Sequence, residues 1–130
     1  MIVVDSSVWI DYFGQVDKPH TTKLQSILGV EQIAVGDLIM TEVLQGYSRE
    51  NEFDAALKVL TGFDLIVVGG QRVSIESAKN YVRLRSLGFT VRKTIDALIA
   101  TRCILSGYKL LHNDRDFLPF EKHLGLKCVH

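Results

Sequence analysis

Apolar residues along the chain fall into short continuous runs that are separated by amphipathic segments. Five runs predict strands, at residues 1–4, 32–35, 65–68, 109–111 and 127–129. The segments between them place apolar side chains three and four residues apart, which is the spacing of a helix that buries one face. Because each predicted strand is apolar throughout, we expect parallel strands. The pattern predicts an α/β fold, a three-layer sandwich with a mostly parallel sheet covered by helices on both faces.

Length and composition favour one folded unit. The 130 residues, of which 47% are hydrophobic, predict a single domain over residues 1–130 with a buried core. The 15 basic and 15 acidic side chains give no net charge at pH 7. Long-range attraction to nucleic acid is therefore not a property of the whole molecule. A phosphate-bearing partner would need a local basic patch or bound cations.

Neither the cysteines nor the first residues indicate a secreted protein. Cys103 and Cys128 have no CxxC or Cys/His zinc spacing, and we expect free thiols rather than a disulfide. The first apolar run lacks a basic flank and ends at Asp5, so it predicts neither a signal peptide nor a membrane span. The expected location is cytoplasmic.

Two carboxylates follow predicted strands. Asp5 comes directly after the first strand and Asp114 follows the fourth. Ligands bind outside the carboxyl ends of the strands in open parallel sheets, so both positions are candidates for a site. Each also has a structural alternative, since Asp5 could cap a helix, and Asp114 or Asp116 could form a turn.

Two further carboxylates lie on predicted helices. Glu42 borders the apolar stripe of the predicted helix over 38–47. Alternatively, its aliphatic carbons could pack on this stripe while its carboxylate extends into water. Asp96 shares a face with Ile99, Ala100 and Cys103 in a strongly apolar helix. A position in the first turn would explain an acid by the helix dipole alone. That effect does not explain why Asp96 lies on the buried face.

Carboxylates brought together repel one another. Two charges at about 4 Å repel by roughly 4 kcal/mol at an effective dielectric constant near 20. Such a cluster needs protons, cationic side chains or a metal ion. Oxygen-only ligands favour a hard cation, Mg²⁺ or Mn²⁺. A hard cation in this setting suits phosphodiester hydrolysis.

Four sequence segments resemble the PIN-domain nucleases, and most closely the VapC-type toxins of toxin–antitoxin pairs. They are VDSSVWIDYF, TEVLQGY, TIDALIA and LLHNDRDF, in this order along the chain. By resemblance, the family's acidic metal-binding positions are matched by Asp5, Glu42, Asp96 and Asp114, with Asp116 as an additional acid. Ser7 and Thr94 are the predicted supporting residues, whereas His112 is interpreted as a residue without a catalytic part.

The resemblance implies a Mg²⁺-dependent endoribonuclease that acts on RNA. It also implies a homodimer and inhibition by a small cognate antitoxin. A basic stretch over residues 79–93 contains no acid and is the predicted path for RNA. The predicted RNA-binding residues are Arg85, Arg92, Lys93 and Arg115, although a solvated helix face is the alternative for part of this stretch.

Other functions fit less well. A phosphoacceptor receiver domain would have an acidic pair after the first strand, and a haloacid-dehalogenase-type phosphatase would have an acid at Ser7. No glycine-rich dinucleotide motif or phosphate-loop lysine motif is present. A PIN-like module that binds RNA or protein without catalysis stays open as the alternative.

Overall fold

A five-stranded sheet whose strands all run parallel forms the centre of the protein in the computed structural model, which describes residues 1–130. The strand order is β3-β2-β1-β4-β5. The strands are β1 (Ile2–Val4), β2 (Ile33–Gly36), β3 (Asp64–Ile66), β4 (Lys109–Leu111) and β5 (Lys127–Cys128). The predicted α/β sandwich with a parallel sheet is confirmed.

Seven helices connect and cover the strands. They are α1 (Ser6–Phe13), α2 (Pro19–Ile27), α3 (Asp37–Leu44), α4 (Glu50–Leu60), α5 (Gln71–Ser86), α6 (Thr94–Ser106) and α7 (Leu118–Leu124), with a 3₁₀ turn at Arg115–Phe117. None of these helices has both the length and the apolar character that crossing a membrane requires. Both cysteines are free thiols, as predicted.

The core lies on both sides of the central strand β1. Val3 and Val4 are buried in β1, and Trp9 of α1 is fully buried and stacks on Phe13. Helix α6 contributes a buried face that includes Ile99. Because a parallel strand covered by helices has no polar face, this packing explains the uninterrupted apolar run at the start of the sequence.

Strand β3 differs from the prediction. The sequence predicted a buried strand over residues 65–68, whereas the observed strand is Asp64–Ile66 at the edge of the sheet. Leu65 and Val67 are 58% and 64% exposed. A short apolar run does not reveal whether its strand will be central or at an edge, and the expectation of a buried strand here was wrong.

Close backbone packing fixes the start of α3. A Cβ atom at Gly36 would lie 2.6 Å from Cγ2 of Val68, so a larger residue at the end of β2 would force Val68 to move. The next residue, Asp37, accepts hydrogen bonds at Oδ1 from the backbone N–H groups of Leu38 and Val68. These contacts anchor α3, the helix that carries Glu42, to the carboxyl end of β2.

Candidate active site

The candidate site lies at the carboxyl end of β1, between its two neighbours β2 and β4. The chain leaves β1 toward β2 on one side, and β4 is added later on the other side. This reversal of strand order creates a crevice at the carboxyl edge of a parallel sheet. The backbone N–H of Asp5 donates to the carbonyl of Leu111 at 2.9 Å, which keeps the ends of β1 and β4 level.

Asp5 is held by a network that starts at Ser7. Oδ2 of Asp5 accepts hydrogen bonds from the Ser7 backbone N–H at 3.1 Å and from the Ser7 hydroxyl at 2.6 Å. The same hydroxyl oxygen accepts from the Asn113 backbone N–H at 3.1 Å. Asp5 therefore does cap α1, and Ser7 also links this cap to the loop after β4.

Glu42 reaches the same place from α3. The Ser6 hydroxyl donates to Oε1 of Glu42 at 3.2 Å, which joins α1 to α3. The carboxyl group is partly buried, and burial together with the nearby charge of Asp5 raises its pKa. The Ser6 hydroxyl therefore holds the Glu42 carboxylate beside Asp5, and the group does not simply extend into water.

Asp96 is buried in the first turn of α6. Burial, followed by the negative charge of Asp5, raises its pKa from 3.8 to about 7. Lys93 partly opposes this rise. Asp96 thus lies against the other carboxylates. The helix dipole would favour an acid in this turn, but it does not explain that position.

Asp114 and Asp116 complete the cluster from the loop after β4. Oδ1 of Asp114 accepts from the Asp116 backbone N–H at 2.9 Å, and Oδ2 accepts from the Lys93 ammonium at 3.3 Å. Burial works to raise the pKa of Asp114, but these two hydrogen bonds hold it below its ordinary value. Carboxylate oxygens of Asp96, Asp114 and Asp116 lie within 4.8 Å of one another.

The donor atoms fit a hard divalent cation. Oδ1 of Asp5 and Oδ2 of Asp96 are buried and have no hydrogen-bond partner in the protein. An unsatisfied buried acceptor costs about 1–3 kcal/mol, and more when it is charged. A cation bound by these oxygens would satisfy both atoms and neutralise the repulsion. Asp96, Asp114 and Asp116 form the group of close carboxylate oxygens, and the charges of Asp5 and Glu42 act on Asp96 from beside it.

The predicted RNA-binding residues divide into two groups. Arg92 and Arg115 line a cavity of about 680 Å³ together with Phe89 and Asp116, next to the acidic cluster. Lys93 contacts the cluster directly through Asp114. Arg85 differs, because its guanidinium group lies over the Tyr81 ring of the same helix, 5.5 Å from the ring centre.

Thr94 lacks the contacts that Ser7 makes. It is exposed at the start of α6 and lines the cavity between α5 and α6. None of the side-chain hydrogen bonds joins it to a carboxylate, so the structure does not bring this predicted supporting residue into the network.

Ser6 makes a contact with Glu42 that was not predicted from the sequence. No local sequence pattern marks a hydrogen-bond partner 36 residues away.

Comparisons with known proteins identify the family to which the chain belongs. Residues 2–122 match the model of the PIN domain. The chain is 29% identical to the VapC ribonuclease Mb1587 of Mycobacterium bovis and to Ribonuclease VapC11 of Mycobacterium tuberculosis, over 119 residues that cover 90% of this chain and 89% of each relative.

Solved structures of similar shape share little sequence with the chain. VapBC2 from Rickettsia felis, solved with a promoter DNA fragment, superposes with a TM-score of 0.78 at 16% identity and covers 99% of this chain and 98% of that one. A toxin–antitoxin complex from Klebsiella pneumoniae gives 0.72 at 19% identity, with 100% and 97% covered. The match over residues 2–122 decides the assignment, and the chain belongs to the PIN domain family.

Proposed function

We propose that this protein is a metal-dependent endoribonuclease, and that it is the toxin of a VapBC-type toxin–antitoxin pair. The observation that carries the proposal is the convergence of Asp5, Glu42, Asp96 and Asp114 from four separate elements, with two buried oxygens unpaired. Clustered acids destabilise the fold, and a bound cation would offset that cost. The relatives named as VapC ribonucleases support the same activity.

Mg²⁺ is the proposed cation, with Mn²⁺ as a functional substitute. A bound divalent ion supplies a Lewis acid that lowers the pKa of water and stabilises charge on a leaving oxygen. Asp5, Glu42, Asp96 and Asp114 would hold the ion, and Ser6 and Ser7 fix two of these carboxylates in place. Oxygen donors from carboxylates are the ligands that both cations prefer.

Lys93 is the proposed contact for the phosphate backbone. Its side chain is 58% exposed, and its ammonium group lies 3.3 Å from Oδ2 of Asp114, at the border between the acidic cluster and solvent. Arg92 and Arg115 flank the adjoining cavity. These cations would contact phosphates on either side of the scissile bond and offset the repulsion between RNA and the acids.

The proposed protein partners follow from solved structures of similar fold. Structures of similar fold include VapBC complexes and a toxin–antitoxin complex. We propose that this protein likewise binds a small cognate antitoxin and acts as a homodimer. Co-purification with the product of a neighbouring small gene, and relief of growth arrest by that product, would test the pairing.

Cleavage of RNA by the purified protein tests the proposed activity. Total cellular RNA is incubated with Mg²⁺ or with EDTA, and new 5′ ends are mapped by sequencing. We expect discrete cuts with Mg²⁺ or Mn²⁺ and none with EDTA. Asp5→Asn and Asp96→Asn should each lower the rate by about 10²–10³-fold, the loss typical of removing one preorganised electrostatic group from an active site.

A matched control separates this loss from general damage. Asp54 is exposed on α4, and Asp54→Asn should cleave like the unaltered protein. The variants are purified in parallel so that a contaminating nuclease would appear in all of them. Full activity in Asp5→Asn or Asp96→Asn, or equal cutting in EDTA, would reject the proposal.

A further inference from the structure

A second cluster of potential metal ligands lies beside β4 and β5, and it has a different composition. Ligand atoms of His112, Glu121 and Cys128 all lie within 4.8 Å of one another. His130 joins them, because its Nε2 atom is 2.7 Å from Oε1 of Glu121. The Cys128 thiol also donates a hydrogen bond to the Glu121 carboxylate.

These residues come from three neighbouring elements. His112 follows β4, Glu121 lies in α7, and Cys128 ends β5, with His130 two residues further on. The pairing of Leu110 with Cys128, and the hydrogen bond from the Val129 N–H to the Leu110 carbonyl, bring the two strand ends together. No two of the three clustered ligands are close in sequence, which explains why no zinc-type spacing is visible.

The donor set suits zinc better than magnesium. Two imidazoles, one thiolate and one carboxylate are four groups that zinc binds in tetrahedral sites. A thiolate and a carboxylate balance the double charge of the ion. Tetrahedral ligands at 2.0–2.3 Å from zinc lie roughly 3.3–3.8 Å apart. Small side-chain rotations would therefore bring the observed cluster to that geometry.

We propose that His112, Glu121, Cys128 and His130 form a zinc site that fastens β5 to α7 and β4. Strand β5 contains only two residues and has a neighbour on one side only, so few backbone hydrogen bonds hold it. Zinc binding would replace the thiol proton, which passes to solvent, with a metal–sulfur bond. This site is distinct from the carboxylate cluster, and the proposal does not depend on nuclease activity.

One existing contact would change on zinc binding. The Asp114 backbone N–H donates to Nδ1 of His112 at 3.2 Å. An imidazole that binds zinc through Nε2 carries its proton on Nδ1, so this contact would open. Zinc at the second site would therefore alter the loop that carries Asp114.

Cobalt titration tests the site without any activity assay. Co²⁺ replaces Zn²⁺ in tetrahedral sites, and a cobalt–thiolate bond gives a near-ultraviolet charge-transfer band that carboxylates cannot produce. Co²⁺ is added to the full chain in excess Mg²⁺. We expect a band that saturates at one equivalent of Co²⁺ and disappears when Zn²⁺ is added. Zn²⁺ should also raise the Tm.

Matched variants identify the ligands. Cys128→Ser should abolish the band, whereas Cys103→Ala, which removes the other free thiol, should retain it. His112→Gln should weaken Co²⁺ binding at least tenfold. Asp96→Asn should leave the spectrum unchanged, because its carboxylate belongs to the other cluster. Absence of the band in the unaltered protein, its persistence in Cys128→Ser, or its loss in Asp96→Asn would overturn the proposal.

Discussion

Removing the charge of Asp96 should stabilise the metal-free protein while it abolishes metal-dependent cleavage. The pKa of Asp96 rises from 3.8 to about 7 because the group is buried and faces the charge of Asp5. The folded chain therefore binds this proton more tightly than the unfolded chain does. Between pH 4 and pH 7 the unfolded state loses the proton first, so the free energy of unfolding falls as pH rises.

The size of the effect follows from the pKa difference. About three pH units separate the two values, and each unit corresponds to 1.36 kcal/mol, which sets an upper limit of about 4 kcal/mol above pH 7. Counterions and water at the cluster reduce this, and Asp96→Asn also loses a helix-dipole interaction of about 0.3–1 kcal/mol. We expect a net gain of about 1–2 kcal/mol at pH 8 in EDTA.

Thermal unfolding at several pH values measures this gain. For a chain of this length the Tm of Asp96→Asn should rise by about 4–8 °C at pH 8 in EDTA and by almost nothing at pH 4. In saturating Mg²⁺ the unaltered protein should have the higher Tm, since only it gains the free energy of Mg²⁺ binding, about 2.7 kcal/mol at 100 times Kd. The control Asp54→Asn should shift by less than 0.5 kcal/mol throughout. A lower Tm for metal-free Asp96→Asn at pH 8 would refute the reasoning.

Three further variants test separate parts of the structure. Lys93→Gln in an Asp96→Asn background should weaken binding to single-stranded RNA and lower the salt slope of log affinity by about 0.7, measured by fluorescence anisotropy; an unchanged slope would exclude a phosphate contact. Ser7→Ala should cost about 1–2 kcal/mol in urea unfolding and lower the cleavage rate about tenfold, because Asp5 loses its 2.6 Å hydrogen bond; equal rates would show that the contact is dispensable. Gly36→Ala should cost about 1–3 kcal/mol in the same urea assay because the added Cβ overlaps a side chain, whereas Gly69→Ala, which meets open space, should cost little; equal losses would contradict this.

The parallel sheet could be predicted from sequence because its signal is local. Uninterrupted apolar runs mark β1, β2 and β4, and helix-forming segments separate them. The same signal failed for β3, because Leu65 and Val67 look like core residues in a short window. Exposure at a sheet edge depends on strand order, which the local pattern does not contain.

The sequence predicted some features of the candidate site but not others. The positions of Asp5 and Asp114 after strands follow from a general property of parallel sheets. The partners that hold them do not, because Ser6 contacts Glu42 across 36 residues and Asn113 contacts Ser7 across 106. Such contacts depend on the packing of α1 against α3 and β4, and no sequence spacing indicates it.

In Asp5 and Glu42, one carboxylate oxygen accepts the hydrogen bonds that position the group, and the other has no hydrogen-bond partner in the protein. Asp5 uses Oδ2 for the hydrogen bonds that fix its position and leaves Oδ1 buried and unpaired. Glu42 accepts from Ser6 at Oε1, and Asp114 accepts from the backbone at Oδ1. Asp5 and Glu42 are thus each anchored through one oxygen, which reduces the entropy lost when a ligand binds, whereas Asp114 also bonds to Lys93 through its second oxygen.

The hydrogen bonds that position the carboxylates do not balance their negative charge. Lys93 is the cation that touches the cluster, and it bonds to Asp114 at the exposed border. A single positive charge there does not reach the unpaired oxygens of Asp5 and Asp96, which are buried. The fold therefore gathers negative charge that a proton on Asp96 or a small cation would offset. Stability is lowered at the place where the proposed chemistry needs a cation, so the metal-free protein should be less stable than its charge-neutralised variant.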